Sequence, residues 1–261
     1  MAGVVRSQYT VYTGELDRGL KLAVVADLHS RAGAEVLDII RAVKDMAPDL
    51  VLMPGDIFER LDGKNTRGMQ AGLSLMRACA QIAPTVYSIG NHENGGTRSW
   101  NKLKWMGIKS IPKYFDAEQI EMIKSCGVTL LDDSYTLIDG IAIGGLSSGL
   151  INLGRRPDLE FLNSFCHLDS PKILLCHHPE YFDKYLSDKN IMLTVSGHAH
   201  GGQWRIFGRG VFAPGQGLFP KYTSGIYNNA LAVSRGLKPG GLIPRIFNST
   251  EVMEINLLPK E

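Results

Sequence analysis

The sequence predicts an α/β fold, and two observations carry the prediction. Short apolar, β-prone runs alternate three times in succession with segments whose apolar residues recur at helical spacing. Each of these runs closes on a polar cluster: Asp27-Leu28-His29, Pro54-Gly55-Asp56 and Gly90-Asn91-His92-Glu93. In α/β architectures, sites gather outside the carboxyl ends of the strands. Composition agrees, since 44% hydrophobic and 21% charged residues describe an ordinary globular chain. No repeat, low-complexity stretch or linker divides the 261 residues, so a single domain over 1–261 is expected.

In chain order, a short lead strand is expected over 9–12, then a buried strand over 20–26 ending at the first polar cluster. Val36, Ile39, Ile40, Val43 and Ala47 fall on one face of a helix that stops at Pro48. A strand over 49–53, a helix built on Met69, Leu73, Met76 and Ala80, and a strand over 85–89 repeat the cycle. Between 94 and 115 the texture changes, and Trp100, Trp105 and Tyr114 interleave with lysines as in an inserted cap. Asp116 then reads as the N-cap of a helix with Ile120 and Ile123 inward and Gly127 as its C-cap. Strands over 135–138 and 141–143 flank Asp139-Gly140, a type I′ hairpin signal. A helix built on Leu159, Leu162 and Phe165 precedes a buried strand over 172–176, which ends at His177-His178-Pro179. After a helix-prone stretch over 180–187, a strand over 191–195 delivers Ser196-Gly197-His198-Ala199-His200-Gly201-Gly202-Gln203. A second hairpin is expected with Gly208-Arg209-Gly210 at its turn, and an alternating strand over 252–257 closes the chain.

Several function classes are excluded early. A net charge of +2 with no concentrated basic patch gives no indication of nucleic-acid binding. Cys79, Cys126, Cys166 and Cys176 lie far apart without a C-x-x-C pair, which reads as buried free thiols in a reducing compartment. No apolar run approaches the ~20 residues that span a bilayer, and Met1 to Gln8 carry no signal-type apolar core. A cytoplasmic protein is expected, with peripheral contact to a membrane left open.

Six of the seven histidines fall at predicted strand ends: His29, His92, His177, His178, His198 and His200. Asp27, Asp56 and Asn91 share these positions. Imidazoles, carboxylates and one amide make a mixed N/O ligand field that suits Zn, Mn, Fe or Ni better than Ca or Mg. There are too many ligands for one ion. Two metals roughly 3.5 to 4 Å apart need a bridging carboxylate, and such a pair serves displacement at phosphorus.

Asp27-x-His29, Gly55-Asp56, Gly90-Asn91-His92-Glu93, His177 and Gly197-His198-x-His200, in this order, resemble the five motifs of the calcineurin-like metallophosphoesterase superfamily. The resemblance implies two packed mixed β-sheets flanked by helices, a four-layer sandwich. It implies two divalent transition-metal ions (Mn, Fe, Zn or Ni), the first on Asp27, His29 and His200, the second on Asn91, His177 and His198, with Asp56 bridging. His92 would touch phosphate or protonate the leaving oxygen, and Glu93 would support His92. A water bridging the metals, its pKa lowered from about 15.7 toward about 7, would supply the attacking hydroxide.

Two readings stay open for Glu59, a partner behind the site or a solvated surface glutamate, and two for His178, a rim residue or a satisfied core imidazole. His167 reads as an ordinary surface or satisfied histidine. Gly201, Gly202 and Gln203 are candidates for the floor beneath a phosphate. The stretch from Gly201 through Phe212-Ala213-Pro214-Gly215 and Tyr222-Thr223-Ser224-Gly225 resembles a bacterial branch of predicted phosphodiesterases, some acting on lipid-linked or sugar-nucleotide phosphates. The segment over 94–115 is then either a cap gripping an acyl chain or anionic head group, or a solvated insertion with its aromatics tucked onto the domain. The expected activity is a phosphodiesterase or pyrophosphatase, with a phosphomonoesterase or a non-catalytic metal-binding scaffold as alternatives.

Overall fold

The computed structural model describes residues 4–59, 64–93, 115–148, 157–240 and 244–260. Two six-stranded mixed sheets pack face to face, with helices on their outer faces. The first sheet runs in the order β1 (Val5–Thr13), β16 (Glu251–Pro259), β2 (Leu20–Val24), β3 (Leu50–Pro54), β4 (Thr85–Ser88), β5 (Thr129–Leu131). Strands β2 to β5 are parallel, and β16 is antiparallel to β2. The second sheet runs β14 (Gly225–Tyr227), β15 (Leu231–Val233), β9 (Leu193–Ser196), β8 (Lys172–Cys176), β7 (Ile141–Leu146), β6 (Ser134–Ile138).

Side-chain alternation along the parallel strands builds the layers. Leu22, Val24, Leu50 and Leu52 face the second sheet, where Ile143, Ile173, Leu175 and Val195 meet them. Ala23, Val25, Val51 and Met53 face the other way, onto α1 (Ala34–Met46), α2 (Arg67–Ile82) and α3 (Ala117–Lys124). Across the second sheet, Leu174 and Val233 pack with Leu162 and Phe165 of α4 (Leu159–Cys166) and with Phe182 and Leu186 of a π-type turn, Phe182–Leu186. Strands buried on both faces read as unbroken apolar runs, which is why β2, β3 and β8 are plain in the sequence.

The expected α/β class and the two flanked sheets are observed; several elements differ from expectation. Strand β1 reaches Val5, because an edge strand alternates exposed polar residues that leave no apolar run, and its ladder partner β16 comes from the far end of the chain. Strand β16 is buried along Glu251 to Ile255 rather than alternating, since β1 and β2 flank it. Helix α3 has the expected Asp116 cap, as a capping box with Gln119, but it ends at Lys124 with Ser125 as C-cap instead of Gly127. The strand expected over 191–195 is β9, and the stretch over 180–187 holds only the π-type turn. Asp139 and Gly140 take positive φ in the hairpin of β6 and β7, as predicted. The second hairpin turns instead at Phe207-Gly208, between β10 (Arg205–Ile206) and β11 (Arg209–Gly210). A third, β12 (Phe212–Ala213) with β13 (Gly217–Leu218), was not expected, and neither were β14 and β15.

No helix among the described residues is long and apolar enough to cross a membrane. Apart from buried Phe115, the expected cap over 94–115, with Trp100, Trp105 and Tyr114, lies outside the described residues.

Candidate metal centre

Strands β2, β3, β4, β8 and β9 end on one side of the two sheets, and the loops leaving them converge. Asp27, His29 and His200 form one group whose donor atoms lie within 4.8 Å of one another; Asp56, His177 and His198 form a second. His29, Asp56 and His92 form a third, so Asp56 belongs with both sides. Its Oδ2 stands 3.2 Å from His177 Nε2, 3.6 Å from His29 Nε2 and 4.0 Å from His92 Nε2. Asn91 Oδ1 lies 3.0 Å from His177 Nε2. All eight predicted site residues are therefore drawn into one cluster, and all but half-buried His92 are buried.

Five of these residues hold left-handed backbone: Asp27 (φ 55°), His29 (51°), Asp56 (55°), His198 (66°) and His200 (48°). Such conformations cost of order 1–3 kcal/mol each and persist only where the surroundings over-determine them. The surroundings do so here through carboxylates that accept backbone N–H bonds. Asp27 takes the His198 N–H at 3.1 Å on both oxygens, and Asp56 Oδ1 takes the His92 N–H at 2.9 Å. Gly55 and Gly90 pack so closely that a Cβ on Gly55 would stand 2.6 Å from the Gly90 Cα. The turns also separate His198 from His200, because β9 ends at Ser196 and a left-handed turn on each side of Ala199 sends the two rings into different groups.

Glu93 departs from expectation as well. Its carboxylate does not touch His92. It is fully buried and accepts the N–H groups of Asp56 (3.0 Å), Ile57 (2.6 Å), Phe58 (3.0 Å) and Gly90 (2.6 Å), so it clamps the loop that carries Asp56. Burial and the Asp56 charge push it up to about 7, against the pull of those donors. The partner of His92 is Glu59, which is therefore no solvated glutamate. Its Oε2 lies 2.7 Å from His92 Nδ1 and its Oε1 2.8 Å from His29 Nδ1. Burial opposes this carboxylate's charge, but the two imidazoles outweigh it and hold Glu59 far below the usual carboxylate range. His178 is buried beside Ser148, Glu180 and His198, as a core imidazole and not a rim residue. His167 is exposed and bonds the Asn163 carbonyl.

The donor chemistry fits a cation. His177 Nδ1 donates to the Pro54 carbonyl at 2.8 Å, and His29 Nδ1 donates to Glu59, so each ring turns its Nε2 toward oxygens. A histidine anchored at Nδ1 by a carbonyl or carboxylate is the usual arrangement behind a metal. His29 Nε2 is buried without a hydrogen-bond partner, its nearest carboxylate oxygens 3.6 and 3.8 Å away. Burial lowers His177, yet Asp56 and Asp27 raise it to about 10, so positive charge is favoured at its Nε2. Burial and neighbouring imidazoles hold His198 and His200 well below their ordinary value, which keeps their lone pairs available.

A segment the sequence reading passed over closes the site from behind. Lys238 Nζ reaches Glu59 Oε1 at 3.1 Å, and Asn248 Nδ2 holds the carbonyls of His200 (2.7 Å) and Gln203 (3.1 Å). Arg245 Nη2 lies 3.5 Å from His200 Nδ1. Gly236 sits against Asp27 with φ 68°, and a Cβ there would stand 2.6 Å from the Asp27 Cβ. The signal was present, because Ala232-Val233 followed by Ser234-Arg235-Gly236 repeats the pattern of an apolar run closing on a polar cluster.

Comparison with known proteins agrees with this geometry. An uncharacterized metallophosphoesterase of Helicobacter pylori is 24% identical over 259 residues, covering 96% of this chain and 63% of its own length. The uncharacterized metallophosphoesterase YkuE of Bacillus subtilis is 27% identical over 249 residues, 92% of this chain and 79% of its own. Phosphodiesterase YaeI of Escherichia coli is 26% identical over 198 residues, 71% of this chain and 62% of its own. The chain thus spans less than two thirds of the Helicobacter relative. The model of the calcineurin-like phosphoesterase family matches residues 20–202, which include every predicted site residue, and the chain belongs to that family.

Proposed function

We propose that this chain is a phosphodiesterase or pyrophosphatase that hydrolyses a P–O bond with two divalent transition-metal ions, Mn, Fe, Zn or Ni. Asp27, His29 and His200 would hold one, Asn91, His177 and His198 the other, with Asp56 shared. The observation that carries this reading is the position of Asp56 Oδ2, between His29 Nε2 and His177 Nε2 at 3.6 and 3.2 Å. When bound, such a pair polarises a phosphoryl oxygen and makes a water acidic enough to act as nucleophile near neutral pH. His92 supplies the acid. Its Nδ1 is fixed by Glu59, its Nε2 stands 4.0 Å from Asp56 Oδ2, and its side chain is 32% exposed. Burial lowers His92, but Asp56 and Glu59 outweigh it and raise it, which favours the protonated ring that an acid needs. The likeness to a protein named phosphodiesterase supports the diester preference.

The test is hydrolysis of an aryl phosphodiester by wild type and His92→Ala, each loaded with Mn, Ni or Zn and assayed for bound metal. The variant is expected to keep its metal and lose activity by ~100-fold or more. Wild type inert on mono- and diesters with each metal would overturn the reading in favour of a non-catalytic scaffold.

A further inference from the structure

Fourteen large apolar residues are exposed among the described ones, and eight of them lie between 204 and 247. Scattered single apolar residues need no explanation, whereas a concentration does. Three project from the first small hairpin, Trp204, Ile206 and Phe207, and three from the second, Phe212, Leu218 and Phe219. Ile246 and Phe247 lie alongside, since Ile246 bridges to Trp204. The two hairpins are tied together by the Phe219 N–H, which donates to the Val211 carbonyl at 2.8 Å. The surface is therefore continuous, and it springs directly from the turn of His200 to Gly202, whose Gly202 carbonyl accepts the Val211 N–H.

The three phenylalanines are the most exposed of the set: Phe207 at 101%, Phe247 at 88% and Phe219 at 82%. Each also holds a left-handed backbone, with φ of 48°, 53° and 51°. Turns of this kind favour Asn, Asp or Gly, and a bulky residue there is strained. The rings bury almost no surface, so no side-chain packing among the described residues offsets that strain. Of the seven lysines and arginines from 189 to 250, Lys238 and Arg245 turn to the metal centre and Lys189, Lys221 and Arg235 pair with Asp188, Asp183 and Glu251, which leaves Arg205 and Arg209 without a carboxylate partner among the described residues. Arg209 stands in register with Ile206 beside the Phe207 tip, and Lys221 follows Phe219 by two residues, its ammonium held by Asp183.

We propose that these hairpins form a docking surface for an anionic lipid bilayer, with Phe207, Phe219 and Phe247 entering the interface and the basic flank facing the head groups. Separate aromatic tips on short loops suit a fluid interface better than the rim of a rigid protein partner, and basic residues around them add attraction to anionic lipid. The metal centre then lies next to the membrane face, on the side of His200.

The test is co-sedimentation of the full chain with phosphatidylcholine vesicles, with and without phosphatidylglycerol. Wild type is expected to pellet with the anionic vesicles and to be released by salt. Phe207→Ser combined with Phe247→Ser should weaken that binding by ~10-fold or more per ring, and Arg209→Glu should weaken it on anionic vesicles alone. Turnover of a soluble aryl phosphodiester and the melting temperature of the double variant, which report folding, should not fall. Wild type staying in solution, or the double variant pelleting like wild type, would overturn the proposal. So would a wild-type dimer that the double variant converts to monomer, since the surface would then belong to a second copy. Vesicle binding does not require hydrolysis, so an inert protein that binds vesicles sinks only the phosphodiesterase reading, and an active one that ignores them sinks only the docking surface.

Discussion

Two neighbouring regions of this molecule are built on the same unusual backbone and treat it in opposite ways. In the metal centre, Asp27, His29, Asp56, His198 and His200 are left-handed and buried, and carboxylates hold the surrounding N–H groups. In the adjoining hairpins and the segment beside them, Phe207, Phe219 and Phe247 are left-handed and exposed, at the ends of short strands or bridges and not within them. In one region strain is offset inside the protein and fixes ligand geometry. In the other no side-chain packing among the described residues offsets it, and the side chains are presented outward.

The largest effect is expected where the two halves of the centre meet. Asp56→Ala should lower phosphodiester turnover well beyond the ~100-fold that bounds the usual loss of an outer partner, with both metals depleted in the purified protein. Retention of full metal content would show that the two groups do not depend on their shared carboxylate. Next comes the clamp. Glu93→Ala leaves four buried N–H donors without an acceptor, which should cost at least ~3 kcal/mol and lower the melting temperature by roughly 6–12 °C. A loss under one or two degrees would mean that the Asp56 loop holds its backbone unaided.

A smaller change is expected at Glu59, which orients two rings but ligates nothing in this scheme. Glu59→Gln should reduce metal affinity or turnover by about 10- to 100-fold, and Lys238→Ala by less, since Lys238 reaches the site only through Glu59 and His29. Equal losses in the two variants would make Lys238 a direct participant. The smallest effect, and the one of opposite sign, belongs to the hairpins. Phe207→Asn places a residue that tolerates the left-handed turn and should stabilise the fold by ~1 kcal/mol, raising the melting temperature by about 2–4 °C. A fall instead would show that the ring packs on the body of the protein, and the contrast between the two regions would disappear.

Much of the centre was legible in the sequence because each ligand except Asn91 and His92 follows a largely apolar strand buried on both faces. Leu20 to Val24, Leu50 to Met53, Lys172 to Cys176 and Leu193 to Val195 advertise themselves locally, and so do the polar clusters after them. Edge and inserted strands do not. Strand β1 hides its pattern in exposed polar residues, and β16 lies between β1 and β2 although its Leu257 pairs with Leu20, 237 positions earlier. Helix boundaries were legible where a cap side chain announces them, as at Asp116, and misread where a glycine lay just past the true end, as at Gly127.

By itself, then, the sequence determined the α/β class, the strand-end origin of the ligands and the identity of Asp27, His29, Asp56, Asn91, His92, His177, His198 and His200 as one candidate set. Their division between two ions was implied by the family resemblance, and only the tertiary structure decided what enforces it. The division of His198 from His200 depends on left-handed turns at both, and the exchange of roles between Glu93 and Glu59 depends on which N–H groups and rings the loops bring within reach. The same holds for Lys238, Arg245 and Asn248, which reach the centre through a long return of the chain. Periodicity and residue type are local and travel with the sequence. Direction at a turn and pairing across a sheet are fixed only when distant segments pack, and the chemistry of this site lies in those directions.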